Sequence, residues 1–165
     1  MTAMDVCDAI AETLAAAWPE RIIYRDFCPA DFQRPSLFLY VTEPSMTQAA
    51  IGLVEWRVEA SLELFCSTDE YDISSTEELR RDQELVLLAF AAPSLQVGDR
   101  YVSLSAKGDG MELGSAYVTF AASWYDQRPG YHDPDDMTDP VSAAIPVMEE
   151  LHTTFSSTEI SGETD

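Results

Sequence analysis

Asparagine is absent from these 165 residues, and lysine occurs once, at Lys107. Nine basic side chains in all face 30 carboxylates, which leaves a formal net charge of −21. So few cations exclude a protein that grips nucleic acid directly, because phosphate affinity comes chiefly from Lys and Arg. They equally exclude docking on an anionic membrane surface. Cysteine occurs three times, at Cys7, Cys28 and Cys66, with no C-x-x-C pair. An odd count without a secretory leader reads as reduced thiols in a cytosolic setting. Histidine is limited to His132 and His152, too few to furnish the ligands of a zinc site in suitable groupings. No uncharged apolar stretch approaches the roughly 18 residues that a membrane-spanning helix needs. The opening MTAMDVCDAI lacks a basic stretch and a long apolar run, so no signal peptide is expected. Nucleophile-elbow, phosphate-loop and dinucleotide fingerprints are all missing.

What is present is a hydrophobic fraction of 46%, enough for one core in a chain of one-domain length. Ala3 to Ala17 carries Val6, Ile10, Leu14 and Ala17 at helical spacing. Thr2 is placed to cap it with Asp5 in the first turn, and Pro19 closes it. Short β-like runs follow over 21–25 and 36–42. The second is apolar on both parities between Pro35 and Pro44, which suits a strand covered on both faces.

The clearest periodicity lies between Gly52 and Cys66. Val54, Trp56, Val58, Ala60, Leu62 and Leu64 share one parity; Glu55, Arg57, Glu59, Ser61 and Glu63 share the other. Strict alternation is the mark of a half-buried strand. At about 3.3 Å per residue this one would run on the order of 45 Å, so it bends at a bulge or projects past the domain. A second helix is expected over 74–92, with Leu79, Val86 and Phe90 inward and Pro93 at its end. Strands over 101–106 and 111–125 come next, joined by a turn at Lys107-Gly108-Asp109-Gly110.

From Pro129 onward the composition changes: nine acids and no Lys or Arg. Residues 1–128 therefore carry −12 and residues 129–165 carry −9. The second stretch reads as an acidic, partly disordered tail, with apolar residues over 141–155 fit for a short docking helix. The whole reads as α+β: a mostly antiparallel sheet with two main helices against it, one unusually long strand, and the tail.

Candidate chemistry is sparse. Asp133, Asp135, Asp136 and Asp139 offer oxygen ligands for a hard cation. Yet no Gly sits at the turning position of a calcium loop and no Glu closes it, so a solvated acidic loop is the better reading. Trp56 and Trp124 fall on apolar parities and are assigned to the core. The polar parity Glu55, Arg57, Glu59 and Glu63 is in the plainest reading a solvated sheet face. It is also the candidate subunit interface, since an exposed long strand invites pairing or stacking with a neighbouring copy.

Over residues 8–127 the chain resembles the phage tail terminator proteins, small virion components of tailed phages. The likeness is carried by the first helix, Arg21-Ile22-Ile23-Tyr24, and Pro35-Ser36-Leu37-Phe38-Leu39. It continues through the long strand ending Leu62-Glu63-Leu64-Phe65, the second helix, and Val118-Thr119-Phe120 with Tyr125-Asp126 at its end. The resemblance implies a structural role: a homo-oligomeric ring, often a hexamer, at the head-proximal end of the tail tube. Such a ring ends tube polymerisation and joins tail to head. Its implied partners are the tail tube protein and the head–tail connector, assembled in the host cytoplasm and then carried in the virion. The resemblance brings no catalytic residue, cofactor or metal. DNA passes through such a lumen without being bound, and carboxylates facing it would repel phosphates. Two other classes compete: an acidic inhibitor or DNA mimic that occupies a basic host protein, and a metal-dependent enzyme using the Asp133–Asp139 cluster.

Overall fold

A computed structural model describes residues 1–71, 73–112 and 114–144. Its contacts divide the chain into two compact units, Met1–Arg128 and Pro129–Asp165. The first unit is α+β, with a six-stranded, mostly antiparallel sheet.

Helix α1 (Ala3–Ala17) opens the unit and begins at a reciprocal capping box. Asp5 N–H donates to Thr2 Oγ1 at 3.3 Å, and Thr2 N–H donates to Asp5 Oδ2 at 2.7 Å. Both bonds satisfy amides that a helix start otherwise leaves unpaired. Strands β1 (Ile22–Arg25), β2 (Ser36–Gln48) and β3 (Leu53–Phe65) follow. Helix α2 (Thr76–Ala89) is capped by Ser75, whose Oγ accepts from Glu78 N–H at 3.3 Å. Strands β4 (Ser94–Val97), β5 (Arg100–Glu112) and β6 (Ser115–Gln127) complete the sheet in the order β1-β2-β3-β6-β5-β4. Only β1 and β2 run parallel. The second unit contains a one-turn helix, α3 (Pro140–Ala143), capped by Asp139.

Both long helices lie on one side of the sheet. Helix α1 contacts β2 and β4, and α2 contacts β3, β5 and β6. Beneath them the even-numbered β3 residues Val58, Ala60, Leu62 and Leu64 are all at most 2% exposed. They pack with Ile10, Leu14, Val86, Phe90, Val118 and Phe120 in one core. The alternation seen in the sequence is thus the difference between the helix-covered and the open face of the sheet.

Several expectations meet a different outcome. The long strand pairs with β6 continuously from Leu53 to Leu64, and the register shift beside it falls on β2, between Val41 and Glu43. Strand β2 also runs through Pro44 to Gln48 instead of stopping at 42. Strand β1 ends opposite Leu39, so the outer edge at Pro44 has no ladder to break, and proline is tolerated there. Nor is the 36–42 run buried on both faces: Leu37 and Leu39 are buried while Phe38 and Tyr40 are half-buried.

The turn expected at Lys107-Gly108-Asp109-Gly110 lies inside β5. Its residues form an irregularity between Gly108 and Met111. Gln83 of α2 reaches down to this point and donates from Nε2 to Asp109 O at 3.0 Å and Tyr117 O at 2.7 Å. A Cβ on Gly108 would sit 3.1 Å from Gln83 Cδ, so glycine here serves close approach rather than chain reversal. The reversal comes at Gly114, whose φ of +89° suits a residue without a side chain. Finally, β4 joins β5 through the two residues Gly98 and Asp99 and adds a strand that alternation over four residues did not reveal. Of the docking helix expected over 141–155, residues 145–155 lie outside the described residues.

Candidate functional site

The helices cover one face of the sheet and leave the other to the odd-numbered residues of β3. Glu55, Arg57, Glu59, Ser61 and Glu63 stand there opposite Tyr125, Ser123, Ala121, Thr119 and Tyr117 of β6. Strand β5 extends the same surface with Ser103, Ser105 and Lys107. All four sequence-derived interface candidates therefore share one open face. Strand β3 is central, however, and both its edges are already paired. A neighbouring copy can stack on it but cannot add a strand to it, which removes half of the earlier expectation.

The four candidates differ in their surroundings. Arg57 Nη2 lies 2.9 Å from Glu55 Oε2, and the hydrogen bond and charge of Glu55 push the guanidinium pKa up. Among the described residues Glu59 has no side-chain partner, and it is exposed. Glu63 is half-buried and accepts from Tyr117 Oη at 2.9 Å, while Ser115 Oγ donates to that Oη at 3.2 Å. Burial is the main reason the Tyr117 phenol is held above its ordinary pKa, and the nearby Glu63 adds to it. On β5, Asp109 takes a hydrogen bond from Thr119 Oγ1 and an ion pair from Lys107 at 3.0 Å. Both hold its carboxyl below the usual range.

Between these groups runs a shallow trough of about 280 Å³. Ser103, Ser105, Ala121 and Ser123 floor it, and Glu55, Arg57 and Glu59 form one rim. Small side chains on an uncovered face let another layer approach closely, as in packed sheet structures.

Elsewhere the polar groups serve the fold. Arg34 sits against the Phe32 and Phe65 rings, 4.9 and 5.0 Å from their centroids, which are themselves 4.3 Å apart. Its Nη1 donates to Cys66 O, Ser74 Oγ and Gly114 O at 3.1 to 3.4 Å. Trp56 and Trp124 are direct cross-strand partners with nearly parallel rings 6.1 Å apart. Trp124 belongs to the core and Trp56 packs against it. Burial raises the Cys7 and Cys28 thiols above their ordinary pKa, the opposite of what an activated nucleophile requires.

In the second unit the acidic loop folds onto its own backbone. Asp133 accepts from Asp135 N–H at 3.0 Å, Asp136 from Thr138 N–H at 2.9 Å and Oγ1 at 2.6 Å, and Asp139 from Val141 N–H at 2.9 Å. His132 Nδ1 pairs with Asp139. Among the described residues no group of three or more His, Cys, Asp or Glu side chains is arranged to hold a metal ion.

Searches against protein-family models and against curated proteins return no match. One solved structure, designated only by a sequence number, aligns over 81% of this chain and 99% of its own length. Its identity is 15% and its TM-score 0.40, and it carries no argument about function.

Proposed function

We propose that this protein is a virion structural subunit of the tail terminator type. It forms a ring at the head-proximal end of a phage tail tube, ends tube polymerisation and joins the tail to the head. The observation that carries this reading is the uncovered sheet face. Strands β3, β6 and β5 present Ser, Thr, Ala and charged residues on a side that the two long helices do not reach, which is the kind of surface a subunit assembles through. The element order of the resemblance, from α1 to the end of β6, supports the same reading. The charge is in keeping with it, since an acidic wall lets DNA pass without adhesion.

The test is assembly of the full chain. Light scattering and negative-stain microscopy at micromolar concentration should show a closed ring, and the ring should bind the ends of purified tail tubes. A strict monomer with no affinity for tubes overturns the proposal. If that monomer instead captures a basic host protein in a salt-sensitive way, the acidic-inhibitor reading replaces it.

A further inference from the structure

Helix α2 carries apolar and basic residues on the side turned away from its own sheet. Leu79, Asp82 and Val86 face the core. Arg81, Leu85 and Leu88, spaced by four and three residues, fall on the opposite side. Leu88 is 70% and Leu85 42% exposed. Beside them stands Arg80. In a chain so poor in cations, Arg80 and Arg81 are conspicuous for having no ion-pair partner among the described residues.

The trough on the far side of the sheet has complementary properties. Its floor of Ser103, Ser105, Ala121 and Ser123 leaves room for leucine side chains, and Glu59 on its rim is an unpaired carboxylate. Glu77 and Glu84 flank the α2 leucines, whereas Arg57 and Lys107 on the trough's face are each held by a carboxylate of their own copy, Glu55 and Asp109. The unpaired charges match: two arginines on α2 and a carboxylate on the trough rim. Within one copy the two surfaces can never meet, because α2 lies over β3, β5 and β6 and the trough is on the back of those same strands.

We infer that α2 of one copy docks in the Ser103/Ser105/Ala121/Ser123 trough of the next. The inference rests on the ring reading above and specifies how its subunits join. Unlike surfaces meet head to tail, so each added copy leaves one α2 and one trough free. Such a contact propagates and closes into a ring where the rotation between copies allows. The unpaired stretches of β2 and β5 are poor competitors for the role. The free edge of β2 carries a register shift and Pro44, and that of β5 carries Lys107 and the irregularity at Gly108–Met111. These are the devices by which edges resist pairing.

Disulfide trapping in the full chain tests it, in a Cys28→Ser background to remove the half-exposed native thiol. Copies bearing Leu88→Cys mixed with copies bearing Ala121→Cys should give a cross-linked dimer under mild oxidant. Neither variant alone should, and the double variant should give a ladder up to the ring size. Leu85→Glu/Leu88→Glu, shown by circular dichroism to be folded, should weaken association at least tenfold in sedimentation. Rings that persist in that folded variant, or cross-linking within Leu88→Cys alone, overturn the docking mode while leaving the ring intact. A wild-type chain that stays monomeric overturns the ring reading itself.

Discussion

Arg21 Nη1 lies 2.7 Å from Asp82 Oδ2, and the two side chains are 9% and 3% exposed. The pair ties the segment entering β1 to the inner side of α2, with the Arg21 guanidinium 5.7 Å from the Trp18 ring centroid. Removing one partner leaves a buried charge uncompensated. Asp82→Ala should therefore cost about 3–5 kcal/mol in urea unfolding. Replacing both together, Arg21→Met with Asp82→Leu, should cost far less, because the desolvation of two ions is relieved at the same time. Equal losses in the single and double variants would show that the pair itself supplies the stability.

Arg34 holds three connections at once: the segment entering β2, the exit from β3, and the turn between β5 and β6. Arg34→Met keeps the aliphatic stem and loses the donors and the two ring contacts. It should cost about 2 kcal/mol, on the scale of charged hydrogen bonds to neutral acceptors. Arg34→Lys should recover only part of this, since a point charge cannot replace a planar fork set against two rings. Thermal melting of the three proteins checks the order.

Phe120 is fully buried at the centre of the sheet and meets Phe90 edge-on, with ring centroids 4.7 Å apart. Phe120→Ala should destabilise by about 3–5 kcal/mol through lost transfer energy and the cavity left behind. Phe120→Leu should cost a smaller amount, because most of the volume is kept. Chemical denaturation midpoints at constant slope are the readout.

Asp126 accepts from Arg100 Nη1 at 2.6 Å and from Trp124 Nε1 at 2.9 Å. Burial pushes its carboxyl pKa up, but the Arg100 and Trp124 bonds and the Arg100 charge together outweigh it and hold the value below the ordinary 3.8. A depressed folded pKa means the unfolded chain binds the proton more readily. The stabilisation is therefore fully present above the ordinary carboxylate pKa and is lost as pH falls below it, through the folded value. Asp126→Asn should flatten the stability–pH curve below about pH 4 relative to wild type. An unchanged acid limb would assign the loss to other carboxylates.

The parts of the fold readable in the sequence are those governed by local spacing. Helix α1 is found at Ala3–Ala17 with its Thr2 cap, because capping and apolar periodicity both act within a few residues. The alternation of β3 likewise places Val58 to Leu64 under the helices and Glu55 to Glu63 outside. Strand β4 escaped notice since four residues hold too little alternation. The signal that would have found it is Gly98-Asp99, a two-residue hairpin dipeptide after Leu95-Gln96-Val97. The glycines of 107–110 look like a turn, but the segment pairs with β6 and Gln83 bonds both strands, from 26 positions before Asp109 and 34 before Tyr117.

The trough was beyond reach altogether, because Ser103, Ser105, Ala121 and Ser123 come from two strands and are ordinary residues in each.

By itself the sequence determined the acidity, the division between a −12 stretch and a −9 stretch, and which side of each element is apolar. Those properties follow from composition and from periods of 3.6 and 2, and need no knowledge of neighbours. Only the tertiary structure decided that the long strand is central, that its edges are closed, and that its polar side faces outward beside small residues of β5 and β6. Strand order is set by contacts between residues far apart in the chain, where many pairings satisfy the same local pattern and packing selects one.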